Sequence, residues 1–178
     1  MFRSFIGIVL VALPLLAKTP EWERAQKLVG SEQYQQAAQV LEKAPQNDVD
    51  NLELLGEAYV GLKDFKKAID VLDRAAGIAP TRSMIQVWLG RAWGHRAEAN
   101  KLMAFSWARK AKDAFEKAVA LDAKNIDALD DLFEYYVNAP AIVGGGLDKA
   151  ESVAKRIAMI DPDKGKRLMT VVSRERSK

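Results

Sequence analysis

Apolar residues recur three and four positions apart along most of this chain. Between Asn51 and Pro80, NLELLGEAYVGLKDFKKAIDVLDRAAGIAP, they fall at Leu52, Leu55 and Tyr59, and again at Phe65, Ala68, Leu72 and Ala75. That spacing lays them along one face of an α-helix, twice in succession. From Thr19 onward no stretch shows the period-two alternation of a strand. The pattern predicts an all-α chain.

The pattern also repeats. Upstream, Trp22, Ala25 and Leu28 are followed by Tyr34, Ala37, Leu41 and Ala44; downstream, Leu89-Gly90 and Trp93 are followed by Ala111, Phe115 and Ala118. A fourth set offers Leu129, Leu132 and Tyr136, then Leu147, Ala150, Ala154 and Pro162. The Asn51–Pro80 unit, with Leu55-Gly56, Tyr59, Ala68 and Pro80, resembles the tetratricopeptide repeat, with Leu52 and Leu72 where that pattern has Trp and Phe. The resemblance implies a right-handed superhelical solenoid of about four helical hairpins, with units near 19–47, 49–81, 83–124 and 126–163. Residues 164–178 would form a capping helix, with Leu168, Val171 and Val172 on its inner side. Gly56 and Gly90 fall mid-helix, where glycine costs roughly 1 kcal/mol against alanine. A close helix approach explains them, with Ala68, Ala111 and Ala150 as small counterparts.

The spacing is uneven. Ala37, Ala68, Ala111 and Ala150 are 31, 43 and 39 residues apart, against a family period of about 34. About nine extra residues therefore lie in the third unit, within GHRAEANKLMAFSWARKAK, and about five in the fourth. Met103, Trp107, Ala111, Phe115 and Ala118 keep helical spacing, which predicts a second helix extended backward by two turns after a bend near Asn100. Leu102 and Phe105 lie off that stripe. They either pack on the lengthened partner helix or form, with Lys101, an exposed apolar tip among Arg96, Arg109 and Lys110 that touches a partner or an anionic membrane. The fourth excess falls in APAIVGGGLDKAE. Its glycines and Lys149 suggest a phosphate loop, but that motif needs Lys directly after Gly, then a hydroxyl, all after a strand. Here Asp148 precedes Lys149, Ala150 follows it, and a helix comes before. An expanded turn is the better reading, with Ile142 and Val143 folded back to seal the solenoid or to close one end of its groove.

The start of the chain differs from the rest. The apolar run Phe5–Ala17 after Arg3 suits a signal-peptide core and falls short of the roughly 20 residues that span a bilayer. Residues 1–17 are expected to be a signal peptide, which implies an exported, periplasmic or secreted protein. The bulky Leu15 leaves open an uncleaved inner-membrane anchor or a buried helix. With no cysteine and one histidine, thiolate and histidine-based chemistry is largely excluded. The net charge of +3 is too small to indicate nucleic-acid binding. The chain is expected to be non-catalytic, without cofactor or metal.

In the family that the repeats resemble, the first helices of successive units line a concave groove for a peptide or helix. Alignment places Glu53 and Glu57, then Val87, Arg91 and His95, then Asp130 and Glu134 in that groove. Each acidic pair is four apart and shares a helix face; a solvated helix flank explains the charges as well. Family members that clamp a free carboxylate use lysines and asparagines there, so acids around Arg91 suit a basic segment better. The groove partner is expected to be a protein or peptide. A membrane-tethered envelope component using the basic third hairpin is the alternative, and a carboxylate-pair enzyme a remote one.

Overall fold

The computed structural model describes residues 18–178, so the expectations for residues 1–17 lie outside the described residues. Nine α-helices and one short 3-10 turn make up the regular structure among the described residues. α1 (Pro20–Gly30) and α2 (Tyr34–Leu41) form the first hairpin, α3 (Val49–Gly61) and α4 (Phe65–Ile78) the second. α5 (Ser83–Ala99) and α6 (Ala104–Leu121) form the third, α7 (Ile126–Asn138) and α8 (Leu147–Ala158) the fourth, and α9 (Pro162–Arg176) ends the stack. Local chemistry sets several starts. Thr19, Asp48, Asp64, Asn125 and Asp161 each accept a hydrogen bond from a backbone N–H of the following first turn. Pro162 occupies the first turn of α9, where its missing N–H is harmless. It therefore opens the final helix two residues before the expected boundary, instead of closing a repeat as Pro80 does.

α1 touches α3, α3 touches α5, and α5 touches α7, while consecutive second helices make no comparable contact. The first helices thus crowd the inner side and the second helices fan out, which curves the stack into a solenoid. Two apolar clusters fill it, one from α1 to α6 and one from α5 to α9.

The mid-helix glycines do mark close approaches, but their counterparts are large. A Cβ on Gly56 would lie 2.4 Å from Leu72, and one on Gly90 would lie 2.3 Å from the Phe115 ring. Leu72 and Phe115 follow Ala68 and Ala111 by one turn, so a bulky side chain seats in the gap that each glycine leaves. The fourth hairpin reverses the pair, with Phe133 at the glycine position and Ala154 at the bulky one, both buried in one cluster. Between hairpins, Tyr59 donates to Glu42 at 2.5 Å and Tyr136 to Glu116 at 2.7 Å. The equivalent place in the third hairpin is Trp93, which instead packs near Trp107 with Lys110 and Arg96 over its ring.

Nine extra residues lengthen both arms of the third hairpin. α5 has 17 residues against 13 in α3, α6 has 18 against 14 in α4, and the bend between them is one longer. The expected two-turn extension of α6 is therefore one turn in each helix. Asn100 accepts from the N–H groups of Leu102 and Met103 at the bend. Met103 caps α6 from outside the core and Trp107 is only half-buried, so the fully buried stripe starts at Ala111. Leu102 is 95% exposed and Phe105 57% exposed. Packing on the partner helix does not occur for Leu102; the bend presents it to solvent.

The fourth excess is an expanded turn whose hydrogen bonds close on themselves. The N–H groups of Val143 and Gly145 donate to the Pro140 carbonyl, that of Gly144 to Ala141, and that of Gly146 to Tyr136. Gly144 has φ of 99°, and a Cβ on Gly145 would lie 1.8 Å from the Ala139 carbonyl oxygen. Lys149 Nζ donates to the Gly144 carbonyl at 2.9 Å. With its N–H groups and its lysine engaged internally, this turn offers a phosphate nothing. The 3-10 turn Ala141–Val143 points Val143 inward at 3% exposure and Ile142 outward at 66%. Only one of the two residues expected to fold back does so.

Candidate functional site

On α3, α5 and α7, residues three and four apart face the inner side, which brings charges from three hairpins together. The structure distributes them unlike the alignment. Val87 is fully buried within the second core cluster, because α5 meets α7 there. It belongs to the core and lines no groove. Glu53 takes Arg82 at 3.3 Å, and Arg82 also reaches Asp50 at 2.5 Å, where Lys18 joins from the first hairpin. Asp130 pairs with Lys164 of α9. Arg91 pairs with Asp131 at 2.7 Å and, more loosely, with Asp127 at 3.7 Å, while its guanidinium lies 4.6 Å from the Trp88 ring. Asp127 and Asp131, missed from sequence, hold the arginine; Asp130 between them turns toward α9.

Arg91 is therefore not alone among acids. Lys18, Arg82 and Lys164 neutralise part of the charge. Two of the expected groove carboxylates make no ion pair among the described residues: Glu57 and Glu134. Burial pushes Glu57 above its ordinary value, and the nearby Arg91 only partly opposes this. Burial likewise raises Glu53 and Asp131 despite Arg82 and Arg91. Asp50 behaves oppositely: its burial is outweighed by hydrogen bonds from Lys18 and Arg82, which hold it low.

His95 stacks on Phe65 of the second hairpin, ring centroids 5.1 Å apart, with Nδ1 3.3 Å from Glu98. It is a partly exposed packing residue on the rim. Lys101 is exposed at the bend beside Leu102.

The two insertions meet at a cavity of about 520 Å³. Gly94 and Ala108 leave room beside it, Phe105, Phe115 and Tyr135 supply aromatic walls, and Val143 closes one end. The loop is tied there on two sides. Arg109 donates to the Ile142 carbonyl at 3.2 Å, and the Tyr135 hydroxyl to the Val143 carbonyl at 2.9 Å. Burial, with Asp113 and Glu116 nearby, pushes the Tyr135 phenol up to about 12, so it remains a donor throughout the neutral range. Arg91, Asp131 and Glu134 form the polar rim that joins this cavity to the inner groove. Glu134 also borders a second, more polar hollow of about 510 Å³ between α7 and α9. No signal in the sequence marks the cavity, because it needs the third and fourth insertions side by side. Among the described residues no group of three or more acidic or histidine side chains is placed to hold a metal ion, and no helix is long and apolar enough to cross a membrane.

Residues 28–92 match the model of a tetratricopeptide repeat family, which is less than half of the chain. No curated protein matches the sequence significantly. Among solved structures, the fold is similar to a thermophilic tetratricopeptide-repeat protein of Thermus thermophilus. That likeness has a TM-score of 0.67 at 17% identity and covers 89% of this chain and 80% of that one. It is also similar to MamA, residues 41 to the end, from Desulfovibrio magneticus RS-1. There the TM-score is 0.59 at 21% identity, over 85% of this chain and 75% of that one. The repeat match is thus confined to residues 28–92, while the described residues as a whole have the all-α solenoid fold seen in tetratricopeptide-repeat structures.

Proposed function

We propose that the chain is a non-catalytic protein-interaction scaffold that holds a basic peptide or helix against its inner groove. The observation that carries this reading is the pair of unmatched carboxylates, Glu57 and Glu134, on a face whose other acids are already engaged. A cationic side chain gains attraction there without first displacing an internal partner. A photo-crosslinking residue at Glu57 is expected to capture a partner that one at Lys117, on an outer helix, does not. Equal capture from both positions would overturn the groove. Glu57→Lys and Glu134→Lys should each weaken the captured complex, and more so at low salt.

The exposure of Leu102 and Phe105 beside Lys101 and Arg109 favours a second reading, in which the bend of the third hairpin rests on an anionic membrane, with residues 1–17 as signal or tether. Vesicles of phosphatidylglycerol should then sediment with the chain, and those of phosphatidylcholine should not. Leu102→Asp with Phe105→Asp should release it. N-terminal sequencing separates the two fates of residues 1–17: a start at Lys18 removes the tether.

A further inference from the structure

Resting on the scaffold reading, we infer that the cavity between the third hairpin and the 139–146 turn anchors one bulky apolar side chain of the partner segment, with a lysine or arginine beside it. At about 520 Å³ it has the size of a ligand pocket. Its composition narrows the occupant. Gly94 and Ala108 withhold side chains where two larger residues would fill the space, whereas the gap at Gly90 is already taken by the Phe115 ring. The walls are the rings of Phe105, Phe115 and Tyr135, which favour an aromatic or long aliphatic group. Charge then fixes what accompanies it. On the rim Arg91 is held by Asp131 at 2.7 Å, and Glu98 faces His95 at 3.3 Å. Glu134 makes no ion pair among the described residues, so the unspent charge among the side chains that line the cavity is negative; Arg109, bound to the Ile142 carbonyl, lies outside that lining. A segment that ends in a free carboxylate is disfavoured; one with a cation next to its anchor is matched. Both insertions are needed. The extra turns bring Ala104, Phe105 and Ala108 over the groove, and the expanded turn sets Val143 against them.

The probe is a random-peptide phage library panned on the full chain, with the enriched sequences then synthesised as free peptides. Enriched peptides should pair Trp, Phe or Leu with Lys or Arg. Ala108→Trp, which fills the cavity, should weaken them at least ten-fold, and Glu134→Lys by a similar factor. Leu102→Ala, outside the cavity, should leave them unchanged. Gly94→Val is the second filling variant, and whichever of the two keeps the wild-type melting temperature decides the test. Peptides that bind a folded filling variant unchanged, or that lack the apolar–basic pairing, overturn the pocket. If those peptides still weaken with Glu57→Lys, the groove survives and only the pocket falls. A library that yields no enrichment overturns both.

Discussion

In the second hairpin Leu72 fills the space over Gly56, and in the third Phe115 fills it over Gly90. Up to that contact the two are built alike; beyond it they part. α3 stops at Gly61, whose missing Cβ admits the Tyr34 ring of the hairpin before it. α5 and α6 continue for four residues each, close to one turn and about 6 Å of helix. A whole turn returns the same face to the partner helix, so the packing below is undisturbed. A Cβ on Gly94 would meet the Ala111 methyl at an ordinary contact distance. The overhang itself hides little, for Leu102, Met103 and Phe105 are all exposed. The base of the third hairpin serves the fold, and its end serves as surface.

The comparison breaks most directly at the bulky member of the pair. Phe115→Ala should cost about 3–5 kcal/mol in a denaturant titration, whereas Leu102→Ala, out on the overhang, should stay within about 0.5 kcal/mol. Comparable losses would mean that the overhang carries core packing after all. A smaller effect separates two glycines on the same helix. Gly90→Ala drives a methyl into the Phe115 ring and should destabilise by about 1–3 kcal/mol. Gly94→Ala meets only the Ala111 methyl at 3.9 Å and should gain up to about 1 kcal/mol from helix propensity.

Next come the hydroxyls that bridge hairpins. Tyr59→Phe and Tyr136→Phe each remove a bond to a glutamate and should cost about 1 kcal/mol. Trp93→Tyr combined with Asp73→Glu would create the missing third bridge, and the double variant should be more stable than Trp93→Tyr alone. The smallest effect is a pH dependence. Burial raises Glu57, so the folded chain holds that proton more tightly than the unfolded chain. The ionised form is then penalised at neutral pH and the penalty vanishes below the ordinary glutamate range. Glu57→Gln should melt slightly higher than the natural chain at pH 7, and the gap should close in acid.

The helices and their order were legible because Leu52, Gly56, Tyr59, Ala68 and their equivalents repeat with a physical reason at each place. Tyr34, Phe65 and Leu147, each three residues before the recurring alanine, do begin α2, α4 and α8. The groove was legible only in part. Val87 stands where Glu53 and Asp130 stand in neighbouring units, and alignment alone gives it the same exposure; the contact of α5 with α7 buries it. Adjacent carboxylates on a helix point about 100° apart, so the roll of α7 decides that Asp131, and not Asp130, meets Arg91. Ile142 and Val143 share a composition, but a 3-10 turn sends them opposite ways. The cavity lay beyond any one-dimensional reading, since its walls come from segments of two different hairpins that meet only in the folded stack.

The reversal of large and small in the fourth hairpin has a consequence for how such a chain grows or is recombined. Phe133 tolerates Ala154 opposite it, and Gly90 requires Phe115, so a graft of α8 in place of α6 would leave a hole beside Gly90. A graft of α6 in place of α8 would set two phenylalanines in one slot. Single helices are thus not interchangeable parts here. The heritable module is the matched hairpin, and duplication or domain shuffling that respects its ends keeps the fit that exchange of one arm destroys.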